Sequence, residues 1–137
     1  MIRQLTRPFR PIELEANALE FFALHELGEE LRHQEEYQRG GVAAVTLARD
    51  AHMTMLLVAL RQGDVMREHR APSAGMALFL SGRGEFVSGG GGGEKRSAFE
   101  PGTLAAFSSD LSHAVEARED SLYLVAIGGR ERPEGSS

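Results

Sequence analysis

From Gly41 onward the chain is cut into short apolar segments, and the spacing of the cuts limits the possible folds more than any other feature. VAAVTLAR (42–49), MTMLLVAL (53–60), VMREH (65–69), MALFLS (76–81), GEFVS (84–88), EKRSAF (94–99), TLAAF (103–107), HAVEA (113–117) and SLYLVAIG (121–128) are rich in Val, Leu, Ala, Met and Phe. Each is strand-length, and turn chemistry separates neighbours: Arg49-Asp50-Ala51-His52, Gln62-Gly63-Asp64 and Gly82-Arg83-Gly84. Nine such segments in succession predict an all-β sandwich or barrel of antiparallel type.

The region before Gly41 reads differently. Pro8 and Pro11 make residues 1–12 an extended arm. From Glu13 to about Gln38, Leu14, Ala18, Phe21, Phe22, Leu24, Leu27 and Leu31 recur at three- and four-residue intervals among glutamates, which predicts an amphipathic helix. Gly28 weakens it midway and Gly40-Gly41 ends it. The expected organisation is an arm and α-helical segment over 1–41, a barrel over 42–128 and a flexible polar tail over 129–137. The run Gly89 to Gly93 lacks the lysine and the following helix of a phosphate loop, and is read as a mobile hairpin tip.

Composition removes several function classes. A net charge of −5 leaves no basic stripe for nucleic acid. No apolar run approaches the roughly 20 residues of a membrane span, and none follows the arginines of MIRQLTRPFRPIELE as a secretory signal requires. There is no cysteine, so a metal would have to be held by His and carboxylates, and a cytoplasmic location is expected.

Two stretches share a spacing template: Gly63-x5-His69 through Gly82, and Gly102-x5-Ser108 through His113. Each places one histidine on a short strand at a fixed interval from a turn glycine, as a small barrel needs to aim imidazoles inward. The chain resembles a cupin over roughly residues 42–128. In the first cupin motif, Gly-x5-His-x-His-x(3,4)-Glu-x6-Gly, the second His falls on Ala71 and the Glu on Gly75. In the second, Gly-x5-Pro-x-Gly-x2-His-x3-Asn, Ser108, Asp110 and Ala117 replace the other signature residues. The phrases Glu68-His69-Arg70-Ala71-Pro72 and His113 to Ser121 are similar to a group of small, uncharacterised bacterial single-domain cupins. The resemblance implies a double-stranded β-helix, the cupin jelly-roll barrel, usually dimeric, and no settled reaction.

Of the four metal-ligand positions, two keep a ligand, His69 and His113. Alternation puts Arg67, His69 and Ala71 on one strand face, with Glu68 and Arg70 on the other; Val115 and Ala117 share the face of His113, and Glu116 points away. Two imidazoles make a weak site, so no metal cofactor is expected, and Ala71→His with Gly75→Glu should create affinity. The leading reading is a metal-free cavity that binds a small molecule through His69, His113, Arg67, Met55, Met76 and Phe79. The alternative is a metal-dependent dioxygenase or isomerase in which His69 and His113 ligate Fe, Mn, Ni or Zn. Whether there is turnover stays open. Ser108, Ser109, Asp110 and His113 suggest a hydrolase triad, but no nucleophile elbow accompanies them. His25, His33 and His52 read as surface residues. Open sheet edges, with the arm and the helix face Leu24, Leu27 and Leu31 as cover, predict a symmetric homodimer.

Overall fold

The computed structural model describes residues 2–3, 10–70, 73–89 and 93–128, with the backbone alone for Ile2, Arg3, Glu68 and His69. The arm's residues 4–9, Ala71 and Pro72, the tip of the glycine run and the tail from 129 lie outside the described residues.

All nine segments form strands, each within a residue of its expected limits. In chain order the elements are β1 (Ile2–Arg3), β2 (Ile12–Glu13), β3 (Phe21–Phe22), α1 (Leu24–Arg32), α2 (Glu35–Gly40), β4 (Val42–Arg49), β5 (Met53–Leu60) and β6 (Val65–Arg70). They continue as β7 (Gly75–Ser81), β8 (Gly84–Ser88), β9 (Lys95–Phe99), β10 (Leu104–Phe107), β11 (Ser112–Ala117) and β12 (Ser121–Gly128). A larger, six-stranded sheet has the order β10-β7-β12-β5-β4-β2, and a smaller, four-stranded sheet the order β6-β11-β8-β9. All strand pairs within the barrel are antiparallel; β2 joins β4, and β1 joins β3, in parallel. β8 and β9 pair from Gly84↔Phe99 to Ser88↔Lys95, so the glycine run does connect a hairpin.

The spacing glycines are turn glycines. Gly63, Gly82 and Gly102 have φ of 86°, 88° and 94°, a region that side chains with a Cβ rarely adopt. At Gly82 a Cβ would also lie 2.2 Å from Ser121 Oγ and 2.4 Å from the Asp120 carbonyl oxygen.

The predicted long helix is shorter and starts later. Residues 13–23 are not helical: Asn17 takes φ 68°, and Phe21–Phe22 is the short β3. Of the apolar residues that suggested a helix there, Leu14 donates its N–H to the Arg49 carbonyl oxygen beside β4 and Phe22 packs on the helix-covered cluster, whereas Ala18 and Phe21 are exposed. α1 then runs to Arg32, and α2 ends at Gly41 in the left-handed conformation. The break falls at His33-Gln34 rather than at Gly28. Gly28 is buried because Leu122 packs against its Cα, and a Cβ there would sit 2.7 Å from a Leu122 methyl carbon.

Two apolar clusters result. Inside the barrel, Val58, Leu60, Phe79, Phe86, Phe99 and Tyr123 belong to one core. On the outside of the larger sheet, α1 and α2 seal a second, with Leu27, Leu31, Leu57, Ala59 and Leu122 at 1% exposure or less. Burying each such leucine contributes about 1.5–3 kcal/mol. Leu27 and Leu31, expected to cover a sheet edge in a dimer, are thus consumed by the chain's own larger sheet. The outer face of the smaller sheet instead carries charge: Arg96 contacts Glu85, Glu94 and Glu116 at 2.8–3.2 Å, and Arg118 contacts Glu85 at 3.1 Å.

Candidate functional site

The barrel interior is solid at one end and open at the other. At the solid end Phe79 stacks on Phe99 with ring centroids 3.9 Å apart and 14° between planes, and meets Tyr123 at 5.1 Å. Beyond this stack lies a cavity of about 910 Å³, within the upper range of small-molecule sites. Its walls come from both sheets: Leu56, Val58, Val125 and Ile127 on one side, Met66, Phe86 and Val115 on the other. The lining residues that are exposed, Gly40, Ala44, Gly63, Val65 and Arg67, all belong to β4, β6 or the residues leading into them, so the mouth lies between those two strands.

His113 sits in the wall at 6% exposure. Its ring stacks on Phe86 (5.1 Å, 13°) and leans on Phe107 (5.1 Å, 36°). Nδ1 is 3.2 Å from the Leu111 carbonyl oxygen; since a carbonyl only accepts, Nδ1 is the donor of this hydrogen bond. On β11 the inner positions are His113, Val115 and Ala117, and Glu116 points outward to Arg96, as alternation predicts.

β6 departs from simple alternation. His69 is the Cα partner of His113, but Val115 pairs with Met66, so β6 carries one extra residue between Met66 and His69. Met66, not Arg67, therefore opposes inward-facing Val115. Arg67, exposed at the bulge, still borders the cavity at its mouth beside Asp64, whose carboxylate accepts from Arg61 Nε at 3.0 Å.

Three expected wall residues lie elsewhere. Met55 and Met76 both pair with Ala126, and the residues that line the cavity from their strands, Leu56 and Ala77, are their immediate neighbours; both methionines are thus on the outer face. Phe79 has the inward phase but is fully buried in the closing stack, away from the cavity lining. The site residue missed from the sequence is Tyr123. It lines the cavity at 3% exposure, and burial pushes its phenol pKa up. Its hydroxyl has no hydrogen-bond partner among the described residues. The available signal was the inner register Ser121, Tyr123, Val125 and Ile127 on β12, with one polar-tipped aromatic among apolar neighbours.

The metal-ligand positions of the motif can be followed in part, since the His69 side chain and Ala71 lie outside the described residues. Among the described residues no three His, Asp or Glu side chains cluster. The carboxylate position of the motif is Gly75, where a Cβ would lie 2.6 Å from the Ala126 carbonyl oxygen and 3.0 Å from the Phe107 ring. Gly75→Glu cannot therefore restore a ligand as the sequence suggested; the backbone of β12 occupies the space. Nor do Ser108 and Asp110 form a triad with His113: both are exposed while the imidazole is buried. His25, His33 and His52 are exposed. No described helix is long and apolar enough to cross a membrane.

No protein-family model matches the chain, and no curated protein matches it in sequence. Solved structures do. KdgF from Halomonas sp. is similar at 20% identity and TM-score 0.59, over 66% of this chain and 80% of that one. An RmlC-like cupin protein from Desulfovibrio desulfuricans is similar at 17% identity and TM-score 0.60, over 70% and 90%. Oxalate decarboxylase from Bacillus subtilis, which has Mn(II) centres, is similar at 19% identity and TM-score 0.56, over 69% of this chain but 26% of its own length. The two facing antiparallel sheets agree with these likenesses: the chain has the cupin fold, a small jelly-roll barrel of the RmlC-like type.

Proposed function

We propose that this protein binds a small organic molecule in the barrel cavity without a tightly held metal. The observation that carries the reading is the cavity itself: about 910 Å³, walled mainly by apolar side chains, with His113 and Tyr123 as polar groups in its buried wall. Such a site desolvates an apolar body and orients it with a few hydrogen bonds. Thermal denaturation against a panel of small organic molecules tests it. Hits should raise the melting temperature of the parent and not of Val125→Phe, which fills the cavity from β12. A panel with no stabilising member would end the reading.

The pairing of His69 with His113 across β6 and β11 favours a second reading, a metal-dependent enzyme of the dioxygenase or isomerase kind. Elemental analysis of protein purified without a histidine tag separates the two. Near-stoichiometric Fe, Mn, Ni or Zn that is lost in His113→Ala would replace the first reading with the second.

A symmetric homodimer is part of the proposal, supported by Leu19 and Phe21, which are 73% and 54% exposed near the N-terminal edge. Light scattering at micromolar concentration checks it, and a monomer mass rules it out. A cytoplasmic setting fits a cysteine-free chain, and cell fractionation tests that assignment.

A further inference from the structure

Among the described residues that line the cavity, Tyr123 carries the one hydroxyl. It shares the inner face of β12 with Val125 and Ile127, and its ring meets Phe79 of the closing stack at 5.1 Å, so it stands at the closed end. The residue is 3% exposed, and its hydroxyl has no hydrogen-bond partner among the described residues. Its partners in register, Val58 on β5 and Phe79 on β7, are apolar and offer nothing in place of water. Burial alone raises the pKa of the phenol, which is therefore a neutral O–H donor at neutral pH. A buried donor left unpaired carries its full desolvation penalty, and a guest that brings an acceptor to this point removes it. The best match is an oxygen that only accepts. A carbonyl takes the phenol proton and adds no donor of its own, whereas an alcohol that accepts from Tyr123 buries its own O–H beside apolar neighbours.

Resting on the cavity-binding reading, we propose that the ligand is an apolar carbonyl compound of the ketone or ester kind, its carbonyl oxygen accepting the Tyr123 O–H at the closed end of the cavity. The apolar body then lies against Val58, Phe86 and Val125, and Tyr123 sets both the orientation and the choice of functional group.

Thermal denaturation with phenyl and naphthyl alkyl ketones, and with the matched secondary alcohols and hydrocarbons, gives the relative affinities that test this. Comparing the parent with Tyr123→Phe cancels the differences among the probes in transfer from water. The ratio of ketone to hydrocarbon affinity should be about three- to tenfold higher in the parent, with hydrocarbon affinity the same in both. The ratio of alcohol to hydrocarbon should change less. Tyr37→Phe removes the same hydroxyl from the helix-covered side of the larger sheet and should leave every ratio as in the parent. The infrared carbonyl band of the bound ketone should lie at lower frequency in the parent than in Tyr123→Phe. Circular dichroism melts of both variants confirm that they fold. A ketone ratio unchanged by Tyr123→Phe, a larger change for the alcohol than for the ketone, or an equal effect of Tyr37→Phe each overturns the assignment and leaves the cavity reading standing. If none of these probes binds, while the broader panel yields ligands that Val125→Phe excludes, the carbonyl assignment alone fails. If the broader panel also fails, both fail.

Discussion

The two sheets share one interior but have different backs. The larger sheet carries α1 and α2 on its outer face, so the C-terminal half of β5 and the start of β12 are buried on both sides, and the two strands read as continuous apolar runs, MTMLLVAL and SLYLVAIG. The smaller sheet turns its back to water, so β11 reads as strict alternation, SHAVEA, with Arg96, Glu85 and Glu116 joined across its outer face. The larger sheet should therefore hold most of the stability, and the smaller sheet should tolerate change on its outside.

The strongest test compares neighbours on β5. Leu57 is fully buried under α1, whereas Leu56 is half-buried in the cavity wall. Leu57→Ala should cost about 3 kcal/mol in urea denaturation and Leu56→Ala about 1 kcal/mol, because the second removes atoms beside space that already exists. Equal losses would erase the distinction between the two faces.

Gly28→Ala sharpens the contrast at the helix contact. Helix propensity alone favours alanine by about 1 kcal/mol. The new Cβ would meet Leu122 at 2.7–2.8 Å in a packed cluster, and overpacking costs about 1–3 kcal/mol, so a net loss near 1 kcal/mol is expected. In a Leu122→Ala background the same substitution should stabilise, and a loss in both backgrounds would show that the clash is not the cause.

A smaller effect sits in the tyrosines, one on each side of the larger sheet. Burial raises the pKa of both Tyr37 and Tyr123 above the ordinary value of 10.0, with Asp120's charge adding to Tyr37. Above pH 10 the unfolded chain sheds phenolic protons that the folded chain keeps, so stability is full below pH 10 and falls as pH rises. Tyr123→Phe should flatten this decline and change little at pH 7, since its hydroxyl has no hydrogen-bond partner among the described residues. An unchanged alkaline slope would remove Tyr123 as a contributor.

The least effect is expected at Arg96. Its ion pairs lie on the water-facing back of the smaller sheet, where screening and side-chain entropy offset the attraction. Arg96→Ala should leave the urea midpoint within error at 150 mM salt, and a large drop would mean that this face contributes to stability after all.

The same contrast explains what the sequence could tell. Strand limits were legible because Gly63, Gly82 and Gly102 mark turns that require positive φ. The inner face of β11 was legible because Glu116 alternates with His113 and Val115. On β5 and β7 both faces are apolar, so nothing in the pattern distinguishes Met55 from Leu56 or Met76 from Ala77. The placement of the methionines failed for that reason. Phe79 had the right phase, but its depth along the barrel depends on the stack with Phe99, a residue twenty positions away. The β6 bulge that brings Met66 opposite Val115 appears only when β6 and β11 are paired. Before α1, local spacing imitated a helix, and the turn at Asn17 overrode it.

Among the described residues β4 from Val42 to Thr46 is paired only with β5, and β6 only with β11, so no ladder joins the two strands that flank the cavity mouth. Parting them along that seam breaks no strand-to-strand hydrogen bond. For a guest of the proposed kind, this seam is a route in and out by sideways breathing of the wall, with both sheets intact. Exchange should be fast compared with global unfolding, and the barrel need not melt to be filled.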